Sequence, residues 1–280
     1  MGVDERLPLN FHQTFVPERR YIAALLNALS EESTLSDQEL AQRTGIPMGR
    51  SSGKLRATLD YARGMGLVIV TTGSARRIKL SLVGEVLRKE DPYISELLSQ
   101  LLLHLELTRK DTGAELWYQV FTRAPQVLSR EFTPRQLAEF VQKSQDSSNR
   151  SVLGPVLRSY EDPASLGLLD VLVKVSENGD RLRIKPVPLV NSYNVLYAYL
   201  LTNIWENTES LASESQATVD SLLRETELSS QLNLEERQFA DLLLIVQDTG
   251  AIAVDRQMAE WIIHKKLTST RLVNRMFDYL

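Results

Sequence analysis

Between Leu35 and Leu80 the chain carries local signals in an order that few folds accommodate. Ser36 is followed three residues later by Glu39, and Leu35 and Leu40 flank the pair, which together form the capping box and hydrophobic staple of a helix start. Gly45 supplies the left-handed residue that ends such a helix. After a turn of Ile46, Pro47, Met48 and Gly49, a further helix is predicted from about Arg50 to Arg63, with Gly64 and Gly66 closing it. Leu67-Val-Ile-Val70, a turn from Thr71 to Ala75 and Arg76-Arg-Ile-Lys-Leu80 then read as a β-hairpin. An earlier helix is predicted from Pro17, with Tyr21, Ala24, Leu25 and Ala28 on its buried face at helical spacing. Helix, capped helix, basic helix and hairpin, in that order, predict a winged helix-turn-helix domain over residues 1–90.

Charge sharpens that reading. From Arg43 to Lys79 there are eight basic residues against one acid, Asp60, whereas the other residues hold 24 basic and 35 acidic side chains. Between 201 and 260 alone, twelve acids face three arginines. A cationic island in an acidic chain is the electrostatic footprint of a module that grips nucleic acid. Along the basic helix, Leu55, Leu59 and Ala62 fall on one side, the predicted core stripe, while Arg50, Lys54, Ala57 and Tyr61 lie opposite. A helix entering the major groove places short polar and cationic residues near its N-terminal end, where its amides and dipole also favour phosphate. Arg50, Ser51, Ser52, Lys54, Arg56 and Tyr61 are therefore the predicted helix contacts with double-stranded DNA. Arg76, Arg77 and Lys79 are the predicted wing contacts to the backbone.

Beyond a connecting helix at Leu82–Arg88, Asp91-Pro92 predicts a domain boundary. Residues 91–280 read as a larger helical, partner-docking domain with at most a short β-hairpin around Arg181–Lys185, which gives a mainly α fold class overall. Helices are predicted at Ile94–Thr108, Glu115–Arg123, Ser151–Tyr160, Tyr193–Trp205, Glu235–Gln247, Arg256–Leu267 and Thr270–Tyr279, with a capping-box start at Thr133-Pro-Arg-Gln136 and a linker at Ser210–Thr218. Trp117, Tyr118, Phe121, Tyr160, Tyr193, Tyr197 and Trp205 are predicted core aromatics.

Several chemistries find no support. The absence of cysteine removes disulfides, thiolate metal sites and cysteine nucleophiles. His12, His104 and His264 lie far apart, and none has a second ligand at i+3 or i+4, so no metal is expected; His104, on a leucine-rich helix, reads as a core histidine. Phosphate-loop, nucleophile-elbow and dinucleotide motifs are absent, so no cofactor and no catalysis are expected. The polar start and short apolar runs predict a cytoplasmic protein without membrane spans.

Several segments in register resemble one bacterial family. Phe11-His-Gln-Thr-Phe15, the Gly45–Leu67 region, Asp91-Pro-Tyr93 followed by Leu101-Leu-Leu-His104, Glu115-Leu-Trp-Tyr118 with Phe121, and Leu157-Arg-Ser-Tyr160 are together similar to the family catalogued as domain of unknown function four-thousand-seven. The resemblance implies an origin in anti-phage or DNA-modification gene clusters and an enzymatic protein partner from the same cluster. The expected function is thus a non-catalytic DNA-binding accessory subunit of such a system. The alternatives are a protein-interaction scaffold without DNA contact and a stand-alone transcriptional repressor.

Overall fold

Leu97–Leu107 is the helix around which the first part of the molecule is built. Every residue from Leu98 to Leu107 is buried, the polar Ser99, Gln100, His104 and Glu106 along with the leucines. In the computed structural model, which describes residues 6–29, 34–48, 53–71, 76–145 (backbone only at 144 and 145), 152–175, 180–257 and 260–278, the chain divides into two compact units, 1–185 and 186–280. The boundary expected at Asp91-Pro92 therefore falls inside the first unit. Asp91 ends a helix there, but the same unit continues on both sides of it.

Unit one opens with α1 (Arg19–Ala28), α2 (Asp37–Thr44) and α3 (Gly53–Gly64), then β1 (Val68–Thr71) and β2 (Arg77–Leu80) paired antiparallel, then α4 (Leu82–Glu90). The capping box of α2 is present in full, and Gly45 takes the left-handed conformation. The buried stripe of α1 is Ile22, Leu25, Leu26 and Leu29 rather than the predicted Tyr21, Ala24, Leu25 and Ala28. Two candidate stripes share Leu25, and burial follows the one carrying larger side chains, because more apolar area leaves water. Then come α5 (Leu97–Leu107), α6 (Glu115–Tyr118), α7 (Ala124–Leu128), β3 (Glu131–Phe132), α8 (Pro134–Gln145), α9 (Leu153–Glu161), β4 (Leu172–Lys174) and β5 (Leu182–Ile184). Between α6 and α7 the chain makes a π-helical turn, Gln119–Arg123, that carries Phe121 against His104 and Tyr160. The capping box at Thr133 and Gln136 is formed.

Unit two comprises α10 (Asn194–Asn207), β6 (Gln216–Thr218), α11 (Val219–Thr226), α12 (Leu228–Gln231), α13 (Glu236–Gln247), β7 (Ile252–Asp255), β8 (Ile262–Lys265) and α14 (Ser269–Val273). Its core is α10 packed by α13 and α14, with Trp205 donating to the carbonyls of Leu211 and Glu214.

The molecule is mainly helical with small antiparallel sheets. The expectation of at most one hairpin beyond residue 91 is corrected by two three-stranded sheets, ordered β3-β5-β4 and β6-β8-β7. The predicted helix at Arg256–Leu267 contains strand β8, and the predicted linker contains β6, whose Ala217 faces Ile263. Apolar runs of three or four residues fit either period, so pairing partners distant in sequence decide between them. The aromatic residues expected in the core are there: Trp117, Tyr118, Phe121, Tyr160, Tyr197 and Trp205 are buried, Tyr193 less so.

Candidate nucleic-acid interface

The predicted interface is carried by α3 and the hairpin. Of its nine residues, Arg50, Ser51 and Ser52 lie outside the described residues. Lys54 sits on the first turn of α3, where its ammonium pairs with Glu18 at 2.6 Å and lies 4.4 Å from the centre of the Tyr21 ring. Burial pushes the Glu18 carboxyl up, but bonds from Lys54 and Arg20 outweigh it and hold the group below the usual carboxylate range. Arg56 and Arg76 converge on one acid. The Arg56 Nε donates to Asp37 Oδ2 at 2.9 Å, and Arg76 donates to Asp37 Oδ1 at 2.6 Å. Burial likewise raises Asp37, and the two guanidiniums more than reverse it. Asp37, the first residue of α2, thereby ties α3 to the entry of β2.

Tyr61 is corrected by the structure. Its ring is fully buried, packs edge-on to Phe11 and Trp117, and its hydroxyl donates to the Phe15 carbonyl at 3.0 Å. Burial pushes its phenol far above the ordinary tyrosine value. Ala57, on the same side, is buried too. The cause is the chain before α1. Leu7 and Phe11 are buried, a Cβ on Gly53 would lie 2.6 Å from the Gln13 amide oxygen, and one on Gly64 would lie 2.6 Å from Leu7. Helix α3 is thus covered on both faces, and Tyr61 is core rather than a contact with DNA.

Of the three predicted wing residues, Arg76 is held by Asp37 and the other two stand outward. Arg77 and Lys79 are exposed on β2 while Ile78 and Leu80 between and after them are buried, the period-two alternation of a strand with one covered face. The structure therefore brings together Arg56, Arg76 and their shared Asp37 between α2, α3 and the hairpin, and leaves Arg77 and Lys79 at the surface. The clamping acids Glu18 and Asp37 were missed from sequence, because a carboxylate at a helix start reads as a dipole partner rather than a partner for a distant cation.

Among the described residues no three His, Asp or Glu side chains gather as a metal site, and no helix is long and apolar enough to cross a membrane. His104 is buried, with Nδ1 2.7 Å from the Tyr160 hydroxyl.

No family model matches the chain, and no curated protein matches it. Two solved structures share its fold. One, an SspB crystal structure, aligns with a TM-score of 0.75 at 16% identity over 99% of this chain and 88% of that one. The other, a magnesium ion-bound SspB crystal structure, aligns with a TM-score of 0.73 at 16% identity over 96% of this chain and 86% of that one. At this identity the likeness is one of fold.

Proposed function

We propose that the chain is a non-catalytic DNA-binding accessory subunit of a bacterial anti-phage defence or DNA-modification system. Helices α1 to α3 and the β1–β2 hairpin act as its winged helix-turn-helix, and an enzyme from the same system is its protein partner. The observation that carries this reading is the outward alternation of Arg77 and Lys79 on β2, next to Arg56 and Arg76 at the junction of α3 and the hairpin. Cations in that arrangement suit phosphates on either side of a groove. Tyr61 has no part in it.

The scaffold reading is favoured by a different observation. Lys54, Arg56 and Arg76 already hold carboxylates, and an ion pair offers DNA less charge than an uncommitted cation. Asp37→Asn separates the two readings. For a DNA-binding surface, removing the acid releases two guanidiniums and tightens binding to a labelled random-sequence duplex, read by fluorescence anisotropy. The combined Arg77→Ala and Lys79→Ala change weakens binding and flattens its salt dependence by about one unit of slope for each phosphate no longer neutralised. Wild-type protein that fails to bind duplex even at low salt would leave the scaffold reading in its place.

A further inference from the structure

The Asp91-Pro92-Tyr93 motif is not absorbed by the hairpin interface, and the structure shows what it builds. The Asp91 carboxylate is buried and accepts from the amides of Ser95 at 2.9 Å and Glu96 at 3.0 Å and from the Ser95 hydroxyl. Ile94 is fully buried with φ at 54°, a left-handed conformation that costs a β-branched residue strain. Its carbonyl is gripped by a guanidinium nitrogen of Arg19 at 2.9 Å, and a second Arg19 nitrogen donates to the Pro163 carbonyl at 2.6 Å. This turn is held from three sides, yet Tyr93 on it is 75% exposed. Packing gives no reason for an aromatic ring on a braced turn in water.

Tyr93 forms one wall of an open groove of about 500 Å³. Arg19, Arg20, Ala24 and Asn27 of α1 line it beside the buried Ala23, together with Ala164, whose carbonyl accepts from the Arg19 amide. Among the described residues, the charged side chains lining it are Arg19 and Arg20. Arg19 spends its hydrogen bonds on main-chain carbonyls, so no carboxylate balances its charge through them. Arg20 bonds Glu18 and stacks on Tyr21, but its side chain is still 69% exposed. Three acids within two residues of its lining are engaged: Glu18 with Arg20 and Lys54, Asp91 with the amides of Ser95 and Glu96, and Asp162 with the amide of Ala164. Tyr21 lies under both Lys54 and Arg20, so the cations of α3 and of the groove share one aromatic support.

We propose that this groove binds a single-stranded nucleic-acid segment, with a base stacked on Tyr93, its phosphate between Arg19 and Arg20 and its edge toward Asn27. The proposal rests on the reading of unit one as a DNA binder and extends it from duplex to unpaired strand. An exposed aromatic ring beside a positively lined groove is how proteins hold single strands, because every base offers a face to stack and every nucleotide a charge to neutralise. An acidic protein segment meets the charge but has no need of the flat ring.

The test uses the full chain and three labelled probes: a blunt duplex, the same duplex with a six-nucleotide overhang, and an acidic Glu-Leu peptide. Wild-type protein is expected to prefer the overhang by about tenfold. Tyr93→Ala removes that preference without changing blunt-duplex binding, and Tyr93→Phe keeps it. With its ring in solvent, Tyr93 can be replaced without unfolding the turn, which an unchanged Tm verifies. Equal affinity for the two duplexes, or a preference that survives Tyr93→Ala, overturns the groove proposal while the duplex reading stands. Overhang binding that needs Tyr93 but ignores Arg77→Glu with Lys79→Glu keeps the groove and overturns the duplex reading. Peptide binding that Tyr93→Ala abolishes, with no overhang preference, makes the groove a protein-docking site instead.

Discussion

Two histidines of unit one, His12 and His104, are buried, and burial lowers both, His104 to about 3 against an ordinary 6.5. The unfolded chain takes up a proton on His104 near pH 6.5, whereas the folded chain does so only near 3. The stability this group contributes is therefore complete above pH 6.5 and is lost progressively as pH falls toward 3. Urea unfolding at pH 7 and pH 5 should show a falling midpoint. His104→Gln, which keeps a hydrogen-bonding group near the Tyr160 hydroxyl but cannot titrate, should flatten the fall by about 1.4 kcal/mol per pH unit. An unchanged pH slope in that variant would mean that His104 is not held neutral by the fold. Sequence placed His104 in the core from its leucine-rich surroundings alone. Tyr160 as its partner was beyond reach, since 56 residues separate them.

At the scale of elements, close approach of backbone decides more than helix propensity. Gly84 in α4 sits where an added Cβ would lie 2.1 Å from the Leu67 carbonyl oxygen, at the point where the helix crosses the residue preceding β1. Gly154 in α9 has open space around the same position. Gly84→Ala is expected to cost about 2–4 kcal/mol, because main chain must move. Gly154→Ala is expected to cost less than about 1 kcal/mol, because the added Cβ meets only the ring of the following Pro155 and no distant main chain has to move. Chemical denaturation of the two variants checks the contrast, and equal effects would refute the packing of α4 on the hairpin. The cap of α2 was legible in four residues, Ser36 to Glu39, because a capping box is local chemistry. Strand β8 was not, because Ile262–Lys265 becomes a strand only by lying between β6 and β7.

For the molecule as a whole, charge and cores divide along the same line. Residues 1–185 hold 25 basic and 23 acidic side chains, and residues 186–280 hold 7 and 13. Each unit has its own buried helix, α5 in one and α10 in the other. A fragment of residues 1–185 is therefore expected to unfold cooperatively in urea on its own. On the proposed function it should also bind duplex at low salt at least as tightly as the full chain, because the acidic surplus of the other unit is gone. A fragment that folds but binds more weakly would place part of the DNA surface in residues 186–280.

What the amino-acid order determined by itself is the local chemistry: the capped starts at Ser36 and Thr133, the stop at Gly45, the alternation of the hairpin, the leucine-rich core helix, and the segregation of cations between Arg43 and Lys79. Each of these needs only neighbours within a few residues. The tertiary structure alone decided which side of α3 faces water, since the segment carrying Leu7 and Phe11 folds over Tyr61 from some fifty residues away. It also decided which cations are committed to acids, which short apolar runs pair as strands, and that Tyr93 stands exposed on a braced turn. In each case the deciding partner is distant in the chain, and periodicity along a helix carries no record of what will be packed against it.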